Sequence, residues 1–182
     1  MSTRSEFKPV KIFCGLIYAR EAAAEAALAP LQETISAIDD RSPAIPFAAT
    51  DYYRGEMGGP LLRRFVSFRE WLPPGRLAAI KIASMRLEET LAAAGRRTVN
   101  LDPGYLSEAN VIIATAKNHY HRVPLADGIY AHMEYVLKDG GFQFLPWTYP
   151  DFKTEAYLDF FKRLLETYRR ERKEAFRKAS DG

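Results

Sequence analysis

The apolar run Val111–Ala116 restricts the possible folds more than any other feature of the sequence. The run begins with three consecutive β-branched residues, a pattern typical of a strand that is buried on both faces. Such a strand needs apolar partners on each side. A chain of 182 residues with 47% hydrophobic residues can supply them within one domain, so we expect residues 1–182 to form a single domain.

A short polar segment, Asn100–Tyr105, precedes this strand and contains the tripeptide Asp-Pro-Gly. Pro103 disfavours helical backbone at Asp102, and Gly104 can adopt a positive φ. The segment therefore predicts a stiff turn after a short strand, Val99–Leu101, with its polar side chains held in fixed directions. We expect Asp102 to accept hydrogen bonds there.

Charge and cysteine content limit the class of protein. The chain has 26 Lys and Arg against 23 Asp and Glu, and the resulting net charge of +3 is too small to indicate a nucleic-acid partner. The single cysteine, Cys14, excludes an internal disulfide, and its apolar neighbours predict that it is buried. Since we find no apolar signal segment and no apolar run of membrane-spanning length, we expect a cytoplasmic protein without membrane contact.

Apolar periodicity and turn residues predict the order of the secondary structure. We expect Met1–Lys8 to be disordered and Pro30 to kink or restart the first helix, and Ile80–Ala83 in the second helix could instead be extended. The predicted elements are, in chain order, strand Val10–Tyr18, helix Glu21–Ile38, strand Phe47–Tyr53, strand Leu62–Phe68, helix Leu77–Leu91, strand Val99–Leu101, strand Asn110–Lys117, a hairpin of His119–Leu125 and Ile129–Leu137, strand Phe142–Leu145 and helix Asp151–Lys178.

This order predicts an α+β fold with an antiparallel or mixed sheet. The first six elements match the β-α-β-β-α-β order of a ferredoxin-like core, which the later strands and the C-terminal helix would extend. We expect Val10–Tyr18 and Asn110–Lys117 to lie in the interior of the sheet, because both are apolar on both faces. We expect the helices to cover one face.

Five phrases of the sequence are similar to those of a known family. They are GLIY (Gly15–Tyr18), TDYYRGEMG (Thr50–Gly58), NLDPGYL (Asn100–Leu106), GIYA (Gly128–Ala131) and WTYPDF (Trp147–Phe152). The chain thereby resembles the bacterial and archaeal family called domain of unknown function 4416 over nearly its whole length. The resemblance implies membership of a family without an established activity.

Members of that family are sometimes labelled GTP-binding, and the residues of this chain do not support the label. GTP-binding proteins hold the phosphates with a G-x-x-x-x-G-K-[ST] loop and read the base with N-K-x-D. Neither motif is present, and the nearest fragment, Thr115–Asn118, lacks the order and the acidic residue. GTP binding is therefore the least favoured function.

All three histidines of the chain fall in the predicted hairpin. If Asp127-Gly128 forms a two-residue turn, Val123 faces His132, and alternation places three imidazoles and one carboxylate on one face. Such a set can bind a divalent transition metal. The alternative is a solvated polar face of the sheet, and a shift of one residue would change the cross-strand pairs. The predicted metal ligands are His119, His121, His132 and Glu134.

A second group of candidates lies in the polar loops. Asp51 and Asp102 each follow a predicted strand, and carboxylates in such loops can hold Mg²⁺ or transfer protons. With His121 as base or ligand they form the predicted catalytic set. The alternative for both carboxylates is local turn chemistry. The predicted ligand-binding residues around them are Tyr52, Arg54, Glu56, Tyr105, Lys117 and Arg122.

These candidates predict a site for a small anionic or phosphorylated molecule, with a divalent metal as a possible cofactor. Whether the protein is an enzyme stays open, and no motif for covalent catalysis is present. The alternative from another class is a non-enzymatic interaction module whose sheet or terminal helix docks a protein partner. Convergence of Asp51, Asp102 and His121 in one cleft would favour the ligand site.

Overall fold

One antiparallel sheet of nine strands is the centre of the computed structural model, which describes residues 3, 5–49 and 53–180 and, at 54, 176 and 178–180, the backbone only. The described strands are β1 (Val10–Tyr18), β2 (Ile38–Arg41), β3 (Ile45–Phe47), β4 (Leu61–Leu72), β5 (Val99–Leu106), β6 (Asn110–Thr115), β7 (Val123–Pro124), β8 (Tyr130–Lys138) and β9 (Gly141–Phe144). The described helices are α1 (Glu21–Thr34), α2 (Arg54–Met57), α3 (Leu77–Thr90) and α4 (Glu155–Ser180). The strand order is β2-β4-β1-β5-β6-β8-β7, with β3 also paired to β4 and β9 to β8.

The two apolar strands lie in the interior of the sheet, as the sequence predicts. β1 pairs with β4 and β5, and all nine of its residues are buried. β6 pairs with β5 and β8, and its four central residues are buried. The predicted α+β fold with an antiparallel sheet and a C-terminal helix is therefore confirmed.

Helices cover both faces of the sheet, so the expectation of one covered face is wrong. Helices α1 and α3 pack on the face that carries Ile12 and Leu16 of β1. Helix α4 packs on the opposite face, against Phe13 and against Val111 and Ile113 of β6. The physical reason is that strands with apolar residues on both sides need cover on both sides.

Among the described residues, no helix is long and apolar enough to cross a membrane.

The predicted turn at Asn100–Tyr105 is also wrong, because β5 runs without interruption through Asp102, Pro103 and Gly104. Strand β6 pairs with β5 only from Gly104 onward, so the missing N–H of Pro103 removes no hydrogen bond on that side. Gly104 is not in the positive-φ region. Its role is close packing: a Cβ atom there would meet Phe13 Cζ at 2.5 Å and would overlap the backbone oxygen of Ile112.

Several other boundaries differ from the prediction. Of the predicted strand Phe47–Tyr53, only Phe47 is in a described strand, at the end of β3, and residues 50–52 lie outside the described residues. Strand β2 lies where the prediction had the end of the first helix and a loop. Helix α1 ends at Thr34 and continues through Pro30. Helix α3 is confirmed, and the extended alternative for it is wrong. In the segment Met1–Lys8, only Thr3 and Ser5–Lys8 are described, without helix or strand, and the prediction of disorder stays untested.

The predicted hairpin turn forms at Asp127-Gly128, where both residues have positive φ, but the register differs by one residue. Val123 pairs with Ala131 and not with His132. The reason is the loop: the Leu125 N–H donates to the Ile129 carbonyl, which leaves three residues in the loop where the prediction had two. Only Val123–Pro124 forms strand on this side, so the segment that carries His119 and His121 is irregular.

We predict that Gly104→Ala destabilises the protein by about 2 kcal/mol, because the new methyl group would overlap Phe13 and the β6 backbone. Chemical denaturation of wild type and variant measures the free energy of unfolding. Gly75→Ala is the matched control, since no heavy atom lies within 4 Å of a Cβ at Gly75 and its φ is not positive. Equal stability of the Gly104→Ala variant and wild type would contradict the packing role.

Candidate functional site

A cavity of about 790 Å³ opens at the end of the sheet where β1 and β6 finish. Residues of β1, β4, β5, β6 and α3 form its walls, and the segment after β9 completes it. This is an ordinary size for a small-molecule site. Its polar and charged lining residues are Tyr53, Glu56, Arg63, Lys81, Glu88, Glu89, Arg97, Asn100, Asp102, Thr115, Lys117, Tyr149 and Asp151.

A buried ion pair lies in the wall of this cavity. Arg63 of β4 donates from Nη1 to Asp102 Oδ2 of β5 at 3.0 Å, although β1 lies between the two strands. The guanidinium can cross β1 because Gly15 has no side chain: a Cβ there would lie 2.6 Å from Arg63 Nη1. Arg63 is only 5% exposed and also lies over the ring of Phe47 at 5.2 Å. The expectation that Asp102 accepts hydrogen bonds is confirmed.

Lys81 of α3 is the second cation beside Asp102. Its Nζ lies 3.5 Å from Asp102 Oδ1 and donates to the Leu101 carbonyl at 2.6 Å. Burial alone would raise the pKa of Asp102, but the charges of Lys81 and Arg63 outweigh burial, so the pKa lies below its ordinary value of 3.8. Both carboxylate oxygens of Asp102 therefore face cations, and the group is held ionised.

A second carboxylate, Glu88 of α3, behaves in the opposite way. Burial raises the pKa of Glu88 above its ordinary value, although Lys81, the Leu101 N–H and Arg97 act in the other direction. Glu88 Oε1 accepts from the Leu101 N–H at 2.7 Å, and Arg97 Nη1 lies 3.4 Å from Glu88 Oε2. The cavity thus holds two carboxylates whose pKa values are shifted in opposite directions.

Two buried donors in the cavity wall have no hydrogen-bond partner among the described residues. They are Arg63 Nε and Asn100 Nδ2. Arg97 donates to Asn100 Oδ1 at 2.8 Å, which fixes the orientation of the amide and leaves its NH₂ group facing elsewhere. The side chain of Asn100 lowers the pKa of Asp102, yet its nitrogen makes no bond of normal geometry. Buried donors without partners are rare in proteins.

Three of the residues predicted from the sequence line the cavity: Asp102, Glu56 and Lys117. Glu56 also pairs with Arg97: Arg97 Nε lies 3.1 Å from Glu56 Oε2. Tyr105 does not line it, because alternation along β5 turns this side chain toward α1 and α3. Of the other predicted residues here, Asp51 and Tyr52 lie outside the described residues, as does the side chain of Arg54.

The four predicted metal ligands lie together, but in a line. His119 Nδ1 is 3.0 Å from His121 Nδ1, and His121 Nε2 is 3.0 Å from His132 Nδ1. His132 Nε2 lies 3.3 Å from Glu134 Oε1, although neither atom has a hydrogen bond of normal geometry. The line runs from the exposed His119 to the completely buried Glu134.

This linear arrangement differs from that of a metal site. A metal needs ligand atoms that converge on one point at about 2.0–2.3 Å. His121 instead uses opposite ring nitrogens toward its two histidine neighbours. Among the residues that the structure describes, no group of three or more His, Cys, Asp or Glu side chains could hold a metal ion. The geometry therefore gives the metal prediction no support.

Sequence reasoning missed the basic residues that organise the cavity, Arg63 and Lys81, and the segment that carries Tyr149. One signal was available for Arg63. Gly15 lies inside a strand whose other residues, apart from Lys11, are apolar, and a glycine inside a buried strand often marks the close approach of another group. Lys81 gives no such signal, because a lysine on a helix usually faces solvent.

We predict that Asp102→Asn lowers the free energy of unfolding by about 3 kcal/mol at neutral pH, because it leaves the buried charge of Arg63 without its nearest partner. A carboxyl with a lowered pKa stabilises the fold above its ordinary pKa and loses this effect as pH falls. The deficit of the variant should therefore shrink below about pH 3.8. Urea titrations of both proteins between pH 2.5 and 7 measure it, and a deficit that does not depend on pH would contradict the ion pair.

Comparison with known proteins identifies a family without assigning a function. A family model described as a domain of unknown function (DUF4416) matches residues 8–168. No curated protein and no solved structure matches the chain. The matched range contains all nine strands and every described side chain of the cavity wall. The chain therefore belongs to the DUF4416 family.

Proposed function

We propose that the cavity beside Arg63 and Asp102 binds a small molecule through an anionic or oxygen-rich group. The observation that carries this proposal is the pair of buried donors without described partners, Arg63 Nε and Asn100 Nδ2. Leaving such a donor unpaired costs about 1–3 kcal/mol, so a ligand oxygen that accepts from it gains that energy. Carboxylate, phosphate and carbonyl oxygens are the acceptors that fit two N–H donors.

Asp102 has a supporting role in this proposal. Its oxygens already face Arg63 and Lys81, so the carboxylate holds two cations in the wall and is not free to take a proton from a ligand. Asp102 thereby sets which way the guanidinium points. We assign the predicted catalytic residue Asp102 to this positioning role, and Lys117 and Glu56 to the rim of the same site.

The proposed binding of this ligand requires neither a metal ion nor a guanine nucleotide. The histidines contact one another in a line, and the phosphate-binding and base-reading motifs of GTP-binding proteins are absent from the sequence.

The alternative of an interaction module has less support. Its evidence would be an exposed apolar patch, and single exposed apolar side chains such as Val123 and Phe144 are ordinary on a monomer.

We also infer that the part of the chain from β1 to β5 is a ferredoxin-like core. Two observations support this inference. The strand order β2-β4-β1-β5 is antiparallel, with β4 inserted between β2 and β1, and β1 inserted between β4 and β5. Helices α1 and α3 pack on one face of these strands. This split β-α-β arrangement places Arg63 and Asp102 on strands that flank β1.

A substitution that removes one donor but keeps the size of the side chain tests the proposal. We predict that Asn100→Asp weakens binding of inorganic phosphate and of acetate at least tenfold, because an oxygen replaces the NH₂ donor while the contact with Arg97 is kept. Nuclear magnetic resonance titration of the full chain at neutral pH measures the affinities, and amide shifts at Asn100 and Arg63 locate the site.

The matched control is Gln143→Glu, which adds the same charge at an exposed position of β9 outside the cavity. It should bind both anions as wild type does. Absence of phosphate and acetate binding to wild type, or equal affinities for wild type and Asn100→Asp, would contradict the proposed function. Melting temperatures of both variants separate a loss of the donor from a loss of the fold.

A further inference from the structure

We infer that Tyr149 is a third ligand-binding residue of this cavity and that Arg122 positions it from outside the wall. The inference rests on the proposed function and adds a donor that neither the sequence patterns nor the family assigns. It also gives a role to Arg122, His132 and Glu134, which lie together but do not line the cavity.

The hydroxyl of Tyr149 has a proton to donate. Arg122 Nη2 donates to Tyr149 Oη at 2.6 Å. Arginine has no acceptor, so the hydroxyl proton takes no part in this bond. No described residue accepts it, and Tyr149 lines the cavity. The O–H is therefore available to a ligand oxygen in the same cavity as the free donors of Arg63 and Asn100.

Arg122 fixes the hydroxyl because three of its nitrogens are used at once. Beyond Tyr149, Nη1 donates to the Lys117 carbonyl at 2.6 Å, and Nε donates to His132 Nδ1 at 3.2 Å. Lys117 follows β6 and lines the cavity, and His132 is buried on β8. Arg122 thus ties the rim to the sheet interior, and the planar guanidinium leaves Tyr149 Oη one position.

A β-bulge in β8 holds the backbone of the same segment. Val111 pairs with Tyr135 and Ile112 with Met133, so Glu134 has no partner on β6. The freed Glu134 carbonyl accepts from Thr148 Oγ1 at 2.5 Å, and the Glu134 side chain accepts through Oε2 from the Tyr149 N–H at 3.1 Å. The residue at the bulge therefore holds Thr148 and Tyr149, which follow β9, against β8.

The aromatic ring of Tyr149 has a contact of its own, in addition to the contacts of the backbone and the hydroxyl. It stacks on the His132 ring with centroids 4.7 Å apart and an interplanar angle of 15°. Its backbone, ring and hydroxyl thus each have a separate contact, to Glu134, His132 and Arg122 respectively. A side chain fixed at three points suits a site that must present a donor in one direction.

A double-mutant cycle with phosphate as probe tests the inference in the full chain. We expect Tyr149→Phe to weaken phosphate binding about tenfold, because one donor to the anion is lost. We expect Arg122→Lys to weaken it by a similar factor, although the positive charge is kept, because lysine cannot make all three contacts. The double variant should be no weaker than the single ones, since both act through the same hydroxyl.

A spectroscopic readout separates positioning from a general loss of structure. In Arg122→Lys the proton resonances of the Tyr149 ring should move, because the ring leaves its stacked position over His132. Tyr120→Phe and Arg69→Lys are the matched controls, since both residues are exposed and neither lines the cavity. Both controls should bind phosphate as wild type does.

The outcomes separate this inference from the proposed function. Phosphate binding that depends on Asn100 but is unchanged in Tyr149→Phe would overturn the inference and leave the proposed function standing. Additive losses in the double variant, or an unmoved Tyr149 ring in Arg122→Lys, would overturn the positioning role of Arg122. Absence of phosphate binding to wild type would remove the site itself.

Discussion

The ion pair between Arg63 and Asp102 is the interaction on which the rest of the site depends. A guanidinium that is only 5% exposed is costly unless a carboxylate faces it, and the nearest one stands two strands away. Gly15 makes the contact possible by leaving the space above β1 empty. One missing side chain in the most buried strand thus allows the charged group of Arg63 to cross the sheet toward Asp102.

The same pair determines which donors remain without a partner among the described residues. Asp102 occupies Nη1 of Arg63, and Asp151 lies 3.9 Å from Nη2. The Nε atom is left without a described partner. On the neighbouring side, Arg97 occupies the oxygen of Asn100 and leaves its nitrogen. The cavity is lined by five carboxylates (Glu56, Glu88, Glu89, Asp102 and Asp151) and four basic side chains (Arg63, Lys81, Arg97 and Lys117). The proposed binding of an anion therefore rests on these leftover N–H groups and not on an excess of positive charge.

The accuracy of the sequence analysis differs between the interior and the edges of the sheet. β1 and β6 were predictable because continuous β-branched and apolar residues leave few alternatives to a buried strand. The turn at Asp102 was predicted wrongly because Pro and Gly are usual turn formers. Here Pro103 lies beyond the pairing with β6, and Gly104 makes room for Phe13, so tertiary packing overrides the local preference.

The candidate site was predictable only in part, for a similar reason. Asp102 stands out in the sequence as the carboxylate next to a buried strand, but its partners Arg63 and Lys81 are 39 and 21 positions away. Only the sheet topology brings these residues together. The histidines were placed near one another correctly, yet a three-residue loop and the bulge at Glu134 changed their register and arranged their contacts in a line. Register depends on single residues that no periodicity reveals.

The pKa of the Asp102 carboxyl in wild type and in Gly15→Ala is the most direct test of the central ion pair. A methyl group at position 15 would lie 2.6 Å from Arg63 Nη1, so the guanidinium must shift from its present contact with the carboxylate. Burial would then act on Asp102 with less opposing charge. Carbon-detected titration should give a pKa below 3.8 in wild type and a clearly higher one in the variant. Equal values in the two proteins would contradict the account.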